Sequence, residues 1–145
     1  IGQAIKIIVE INEPAEIIEP IIEPIIEAAV EISIQQTIIY FDLNSSYHNR
    51  ENKKDLITFC KTIDNKQDKK ILIESHCDQR DSESYNMWLS EKRMVRTRDF
   101  LISHGFKFEN ISGAYKGESE LEVNCDECTE ENHTINRRTI IKVLE

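Results

Sequence analysis

The segment from Ser75 to Arg93, SHCDQRDSESYNMWLSEKR, holds the residues best placed to do chemistry. Asp78 ends a β-branched apolar run, and Arg93 follows fifteen residues later on the helix expected next. An ionised aspartate offers only acceptors, which suit an ammonium. A guanidinium offers a planar fork of donors, which suits a carboxylate and which lysine does not reproduce. Brought to one strand-to-helix corner, the two can hold a zwitterion. That chemistry points to binding of an amino-acid-like group more than to catalysis.

Two other readings compete for these residues. An Asp78–Arg93 salt bridge alone would satisfy a buried arginine without any ligand. His76, Asp78 and Ser90 can be drawn as a catalytic triad, but no serine sits on a Gly-x-Ser-x-Gly elbow, so His76 reads as a structural residue near the sheet end.

The elements that must position the pair follow from periodicity. TIIYF at 37–41 is a β-branched, aromatic strand ended by Asp42 and Asn44. Leu56, Phe59, Cys60 and Ile63 put one apolar face on a helix over about 50–65. KKILIES at 69–75 is a second strand. Residues 84–103 form a longer helix, with Ser82 or Ser84 as N-cap and Gly105 as its stop. On it Asn86, Ser90, Arg93, Met94, Thr97 and Leu101 share the face toward the sheet. NISGAYKG at 110–117 is a third strand, and RRTIIKVL at 137–144 alternates as the last, after a polar loop with Cys125 and Cys128. The order β-α-β-α-β-β predicts an α/β two-layer sandwich: a mixed four-stranded sheet with two main helices on one face. Ligand crevices in such sheets lie at the carboxyl ends of strands, where Asp78 falls.

Composition narrows the partners. The net charge is −9, and residues 1–36 alone hold seven acids and one base. So acidic a chain is a poor partner for nucleic acid or an anionic membrane surface. No apolar run approaches the ~18–20 residues of a membrane span. The chain opens at Ile1 without Met or leader and reads as a fragment of something longer, so any membrane link would come through missing parts. Residues 1–35, with IIEP at 17–20 and 21–24 and Pro14, Pro20 and Pro24, read as an Ile/Glu/Pro-rich linker or the tail of an upstream domain. The IKIIVEI run at 5–11 is a candidate strand.

From Thr37 to Leu144 the chain resembles the OmpA-like peptidoglycan-binding domain of bacterial envelopes, taken here as 36–145. The strand-1 motif appears as Ile39-Tyr40-Phe41-Asp42-Leu43-Asn44. The central Gly-His-Thr-Asp appears as Ser75-His76-Cys77-Asp78, followed by Tyr85-Asn86, Leu89-Ser90 and Arg93-Met94. Gly117-Glu118 and Asn136-Arg137-Arg138 complete the pattern. The resemblance implies a non-catalytic module without cofactor or metal that grips the free end of meso-diaminopimelate in peptidoglycan, at the periplasmic face of the outer membrane. It implies that Asp78 accepts the ammonium, Arg93 takes the carboxylate, Asn44 and Asn86 add hydrogen bonds, and Arg137 closes the far side. Departures cluster around the clamp: Ser75 for Gly, Cys77 for Thr, Asp81 for a loop Gly, Met94 for Ala, with Arg80 in the same loop.

Cys125-x-x-Cys128 reads as a local disulfide if the domain is periplasmic, as free thiols, or as a zinc site with His133 that lacks a fourth ligand. Cys60 belongs to the core, and Trp88, on the outer side of its helix, suits contact with the upstream segment or a partner. Against wall binding stand two alternatives: a structural protein–protein module of an envelope machine, and a wall hydrolase.

Overall fold

The structure is a computed structural model that describes residues 2–6 and 31–144, with side chains from Gln35 onward. It divides into two compact units at Gln35/Gln36. In the first, β1 (Gly2–Lys6) pairs antiparallel with the opening half of β2 (Glu31–Tyr40), Gly2 opposite Gln35 and Lys6 opposite Glu31. The strand thus starts six residues before the expected Thr37. Ile32 and Ile34 alternate with Glu31, Ser33 and Gln35, a period of two that the proline-rich context masks. Of the candidate strand at 5–11, Ile5 and Lys6 belong to β1; residues 7–30, with the IIEP repeats, lie outside the described residues.

The second unit carries the expected two-layer sandwich. β2 pairs antiparallel with β5 (Arg138–Leu144), β5 antiparallel with β3 (Lys70–Ser75), and β3 parallel with β4 (Ile111–Tyr115), giving a mixed sheet ordered β2-β5-β3-β4. The helices are α1 (Arg50–Thr62), α2 (Glu83–Ser103) and a short α3 (Glu130–Asn136). Alternate strand residues Ile39, Ile71, Ile73, Ile141 and Val143 form one core with Leu56, Phe59 and Cys60 of α1 and Met94 and Leu101 of α2.

Capping sets the helix starts. The Asn49 and Asn52 side chains bond each other's backbone N–H groups at the head of α1, and Ser82 Oγ accepts from Tyr85 N at 3.2 Å at the head of α2. Met94 lies over Gly113 of β4. A Cβ there would sit 2.4 Å from the Met94 sulfur, so a missing side chain on the strand makes room for the larger one on the helix.

α3 was not expected. Its seven residues carry no apolar stripe, and its start is marked only by a Thr129/Asn132 capping box. It determines where Glu130 and Arg137 lie.

Candidate functional site

Past the end of β3 the chain stays tied to its neighbours. His76 N donates to Arg138 O at 2.8 Å, and Cys77 N donates to Gly117 O at 2.7 Å. The unusual residues here are satisfied. Ser75 Oγ lies 2.8 Å from Thr139 Oγ1, and the Cys77 thiol donates to Asn86 O at 3.2 Å. Gly117, with φ of 56°, receives its neighbours closely: a Cβ would lie 3.2 Å from Met87 N, and its own N–H donates to Ser90 Oγ at 2.9 Å. These bonds hold Asp78 at the mouth and press α2 against the strand ends.

Arg93 is fully buried. Its Nε donates to Ser45 O at 2.9 Å, Nη1 to His76 O at 3.1 Å and to Cys77 Sγ at 3.4 Å, and Nη2 to Asp42 O at 3.3 Å. Its face also lies 4.8 Å from the Phe41 ring centroid. Of five N–H donors, one on Nη2 remains for a ligand. Burial pulls its pKa below the usual arginine value. The Asp78–Arg93 salt bridge does not form. The guanidinium is solvated by three backbone carbonyls from two segments, and among the described residues no carboxylate pairs with it.

Asp78 is paired elsewhere. Its Oδ2 accepts from Arg80 Nη2 at 2.8 Å and Arg137 Nη1 at 3.3 Å, and its Oδ1 from the Arg80 backbone at 3.0 Å. Burial raises its pKa, but the hydrogen bonds from Arg80 and Arg137 outweigh burial and hold the carboxyl below its ordinary range. Glu130 of α3 bridges the same two arginines, at 3.0 Å from Arg80 Nη1 and 3.2 Å from Arg137 Nη1. Arg137 is further fixed by Phe41 O at 2.8 Å and Thr134 Oγ1 at 3.0 Å.

Asn44, Asp78, Asn86, Arg93 and Arg137 line one recess together with Cys77, Asp81 and Leu89. Its inner space is about 10 Å³, the size of one water or one ammonium group. Asn44 is exposed at φ of 55°, a left-handed conformation that asparagine tolerates. Asn86 Nδ2 donates to Asp81 O at 3.2 Å and Glu118 Oε1 at 3.3 Å, which leaves its carbonyl oxygen for a donor. Asp81 is not among the residues of positive φ. All five predicted residues therefore meet at one recess. Sequence reasoning missed Arg80 and Glu130 as partners of the clamp. Arg80 lies two residues from Asp78, and Glu130 lies two helical turns before Arg137, so sequence proximity and helical period were the available signals.

His76 is buried, and neither ring nitrogen makes a well-formed hydrogen bond, although the Glu120 backbone weakly favours its charged form. Burial, reinforced by Arg138, lowers its pKa to about 4, so the ring is neutral. Cys60 and Cys77 are free buried thiols, and burial pushes Cys77 up to about 11. Cys125 and Cys128 form a disulfide, which takes both thiolates from the zinc reading. Among the described residues no cluster of three or more His, Cys, Asp or Glu is placed to hold a metal ion. The disulfide loop is tied to the clamp by Gln79 Nε2 donating to Cys125 O at 2.8 Å.

Comparison with known proteins agrees with this architecture. The peptidoglycan-associated lipoprotein of Buchnera aphidicola subsp. Baizongia pistaciae is 30% identical over 103 residues, 71% of this chain and 58% of that protein. The chain thus spans a little over half the length of such relatives. The crystal structure of the peptidoglycan-associated lipoprotein from Burkholderia pseudomallei superposes with a TM-score of 0.66 at 21% identity, covering 74% of this chain and 89% of that one. The cell wall anchor of the T6SS from Pseudomonas aeruginosa gives 0.63 at 21% identity, covering 92% and 98%. The OmpA family model matches residues 40–136, which include all five recess residues but Arg137. With two thirds of its length under that match, the chain belongs to the OmpA family, whose domains are non-enzymatic binding modules.

Proposed function

We propose that the chain binds the stem peptide of bacterial peptidoglycan and so tethers an envelope protein to the wall from the periplasmic face of the outer membrane. The ligand end is a free α-amino, α-carboxylate group such as that of meso-diaminopimelate. The observation that carries this reading is the convergence of Asn44, Asp78, Asn86, Arg93 and Arg137 on one recess at the carboxyl end of β3. The names of its relatives, peptidoglycan-associated lipoproteins, support it.

The chemistry divides between the walls. Asp78 Oδ1 retains a free lone pair and accepts from the ligand ammonium. The remaining Nη2 hydrogen of Arg93 donates to the ligand carboxylate, Asn86 offers its carbonyl oxygen, and Asn44 supplies its exposed amide at the rim. Arg137 holds Asp78 and closes the far side. Each charge-assisted bond contributes ~1.5–3 kcal/mol, so one site binds modestly and repeated sites along the wall supply avidity.

Calorimetric titration with a diaminopimelate-ended muropeptide tests the reading. We expect binding in the wild type and its loss in Asp78→Asn, with an unchanged circular dichroism spectrum. Unaltered affinity in that variant would sink the site assignment. A second reading, a protein–protein module with no wall ligand, is favoured by the arginine contacts that already occupy most of Asp78. Sedimentation with purified sacculi separates the two, because only a wall binder pellets.

A further inference from the structure

Beside the recess lies a groove of about 450 Å³ between the loop after β2 and the outer side of α2. The two share Asn44 and Leu89, so a chain leaving the recess across these residues enters the groove. Tyr85, Trp88, Leu89, Lys92 and Arg96 line it from one helical face, opposite Tyr47. Trp88 is 52% exposed and Tyr47 65%, so both rings present an open face to the groove. The Trp88 and Tyr85 rings lie 5.8 Å apart.

The charges here are as informative as the rings. Lys92 Nζ stands 5.8 Å from the Trp88 ring, and the Arg96 guanidinium 3.8 Å from that of Tyr47. Arg96 Nε donates to Ser46 Oγ at 2.9 Å. Neither cation is ion-paired with a described carboxylate, and no acid lines the groove, although the chain carries a net charge of −9. An exposed indole beside two uncompensated cations complements a ligand that has both a flat, weakly polar ring face and a carboxylate.

We propose that the groove is a second subsite for the rest of the same wall ligand: an acidic glycopeptide whose pyranose ring lies on Trp88 and whose stem carboxylate lies between Lys92 and Arg96. It rests on the wall-binding reading of the recess and extends it from one amino-acid end to a whole muropeptide. Binding both subsites at once makes the second contact intramolecular, so affinity rises without any change in the recess.

The test compares two probes by titration calorimetry on the full chain. Free meso-diaminopimelate reports on the recess alone; a disaccharide tripeptide ending in the same residue reports on both subsites. The expected result is at least tenfold tighter binding of the disaccharide tripeptide, with most of that factor lost in Trp88→Ala and in Lys92→Glu while free diaminopimelate binds as before. Equal affinity for the two probes in the wild type overturns the subsite, as does a tripeptide affinity that both variants preserve. The recess fails separately: if free diaminopimelate does not bind but the disaccharide tripeptide binds in a Trp88-dependent way, the groove stands and the clamp does not.

Discussion

The recess has two walls built on opposite principles. On the α2 side, Arg93 is buried and four of its five donors are taken by carbonyls of the β2–α1 loop and the β3 end and by the Cys77 sulfur. Moving it would break bonds to both segments at once. On the loop side, Asp78, Arg80, Arg137 and Glu130 satisfy one another, and the outer members, Arg80 and Glu130, have side chains 31% and 65% exposed. One wall is therefore part of the fold, and the other is a charge cluster that can exchange partners with a ligand. A low-affinity anchor gains from this division: the rigid wall fixes orientation at no ordering cost on binding, and the exchangeable wall tunes affinity.

The largest effect should come from the rigid wall. Arg93→Ala would empty a fully buried side-chain site and leave the buried His76 carbonyl, with the half-buried bonds to Ser45 and Asp42, without a donor, and is expected to cost at least about 3 kcal/mol of unfolding free energy. Arg93→Lys keeps the charge but not the fork, and should recover less than half of the loss. Urea denaturation measures both. If Arg93→Ala unfolds at the wild-type midpoint, the two walls do not differ in the way argued.

Acid should probe the same wall. His76, whose carbonyl receives Arg93 Nη1, is held neutral with a pKa of about 4 against an ordinary 6.5. Burial is the main cause, with Arg138 and Lys116 opposing the charge and Glu120 favouring it. Because the folded pKa is the lower one, the unfolded chain binds more protons below pH 6.5, and stability falls as pH drops from 6.5 toward 4. At ~1.4 kcal/mol per unit, His76 alone accounts for about 3 kcal/mol across that window. His48, wedged between Phe41 and Phe100 and also lowered to about 4, acts in the same direction. His76→Gln should flatten much of the slope; an unchanged pH profile in that variant would contradict the assignment.

The difference between the walls also explains what the sequence disclosed. The rigid wall was legible because its parts obey strong periods, β-branched alternation in β3 and a 3.6-residue stripe in α2, and because its residues resemble a known motif. Arg93 and Asp78 could be named from residue type and position alone. Their partners were harder. The reading of a direct Asp78–Arg93 bridge weighed only side-chain charges, whereas carbonyl oxygens, which every residue carries and no sequence marks, solvate Arg93 instead. α3 escaped notice because six polar residues and a lone Ile135 have no apolar period to detect, and Glu130 escaped with it. Met94 stood only as a departure from the motif; the space for it at Gly113 lies nineteen residues on and is joined to it only by the packing of α2 on β4.

The smallest expected effect is the one that discriminates best. Arg80 holds Asp78 through both its side chain and its backbone, and its guanidinium is shared with exposed Glu130. If the loop wall is exchangeable, the ligand ammonium at Asp78 Oδ1 competes with the Arg80 side chain for the charge of the same carboxylate. Arg80→Ala removes the competitor, leaves the backbone N–H and Arg137 to orient Asp78, and should tighten muropeptide binding by severalfold, about 1 kcal/mol, as expected for one partly exposed ion pair. Unfolding free energy should move by no more than ~0.5 kcal/mol, because the lost contacts are peripheral. Glu130→Gln frees Arg80 from its outer tether without exposing Asp78, so its effect on affinity should be smaller than that of Arg80→Ala. Weaker binding in Arg80→Ala would reverse the assignment: Arg80 would then be a ligand contact, most simply to the carboxylate, and both walls of the recess would be fixed.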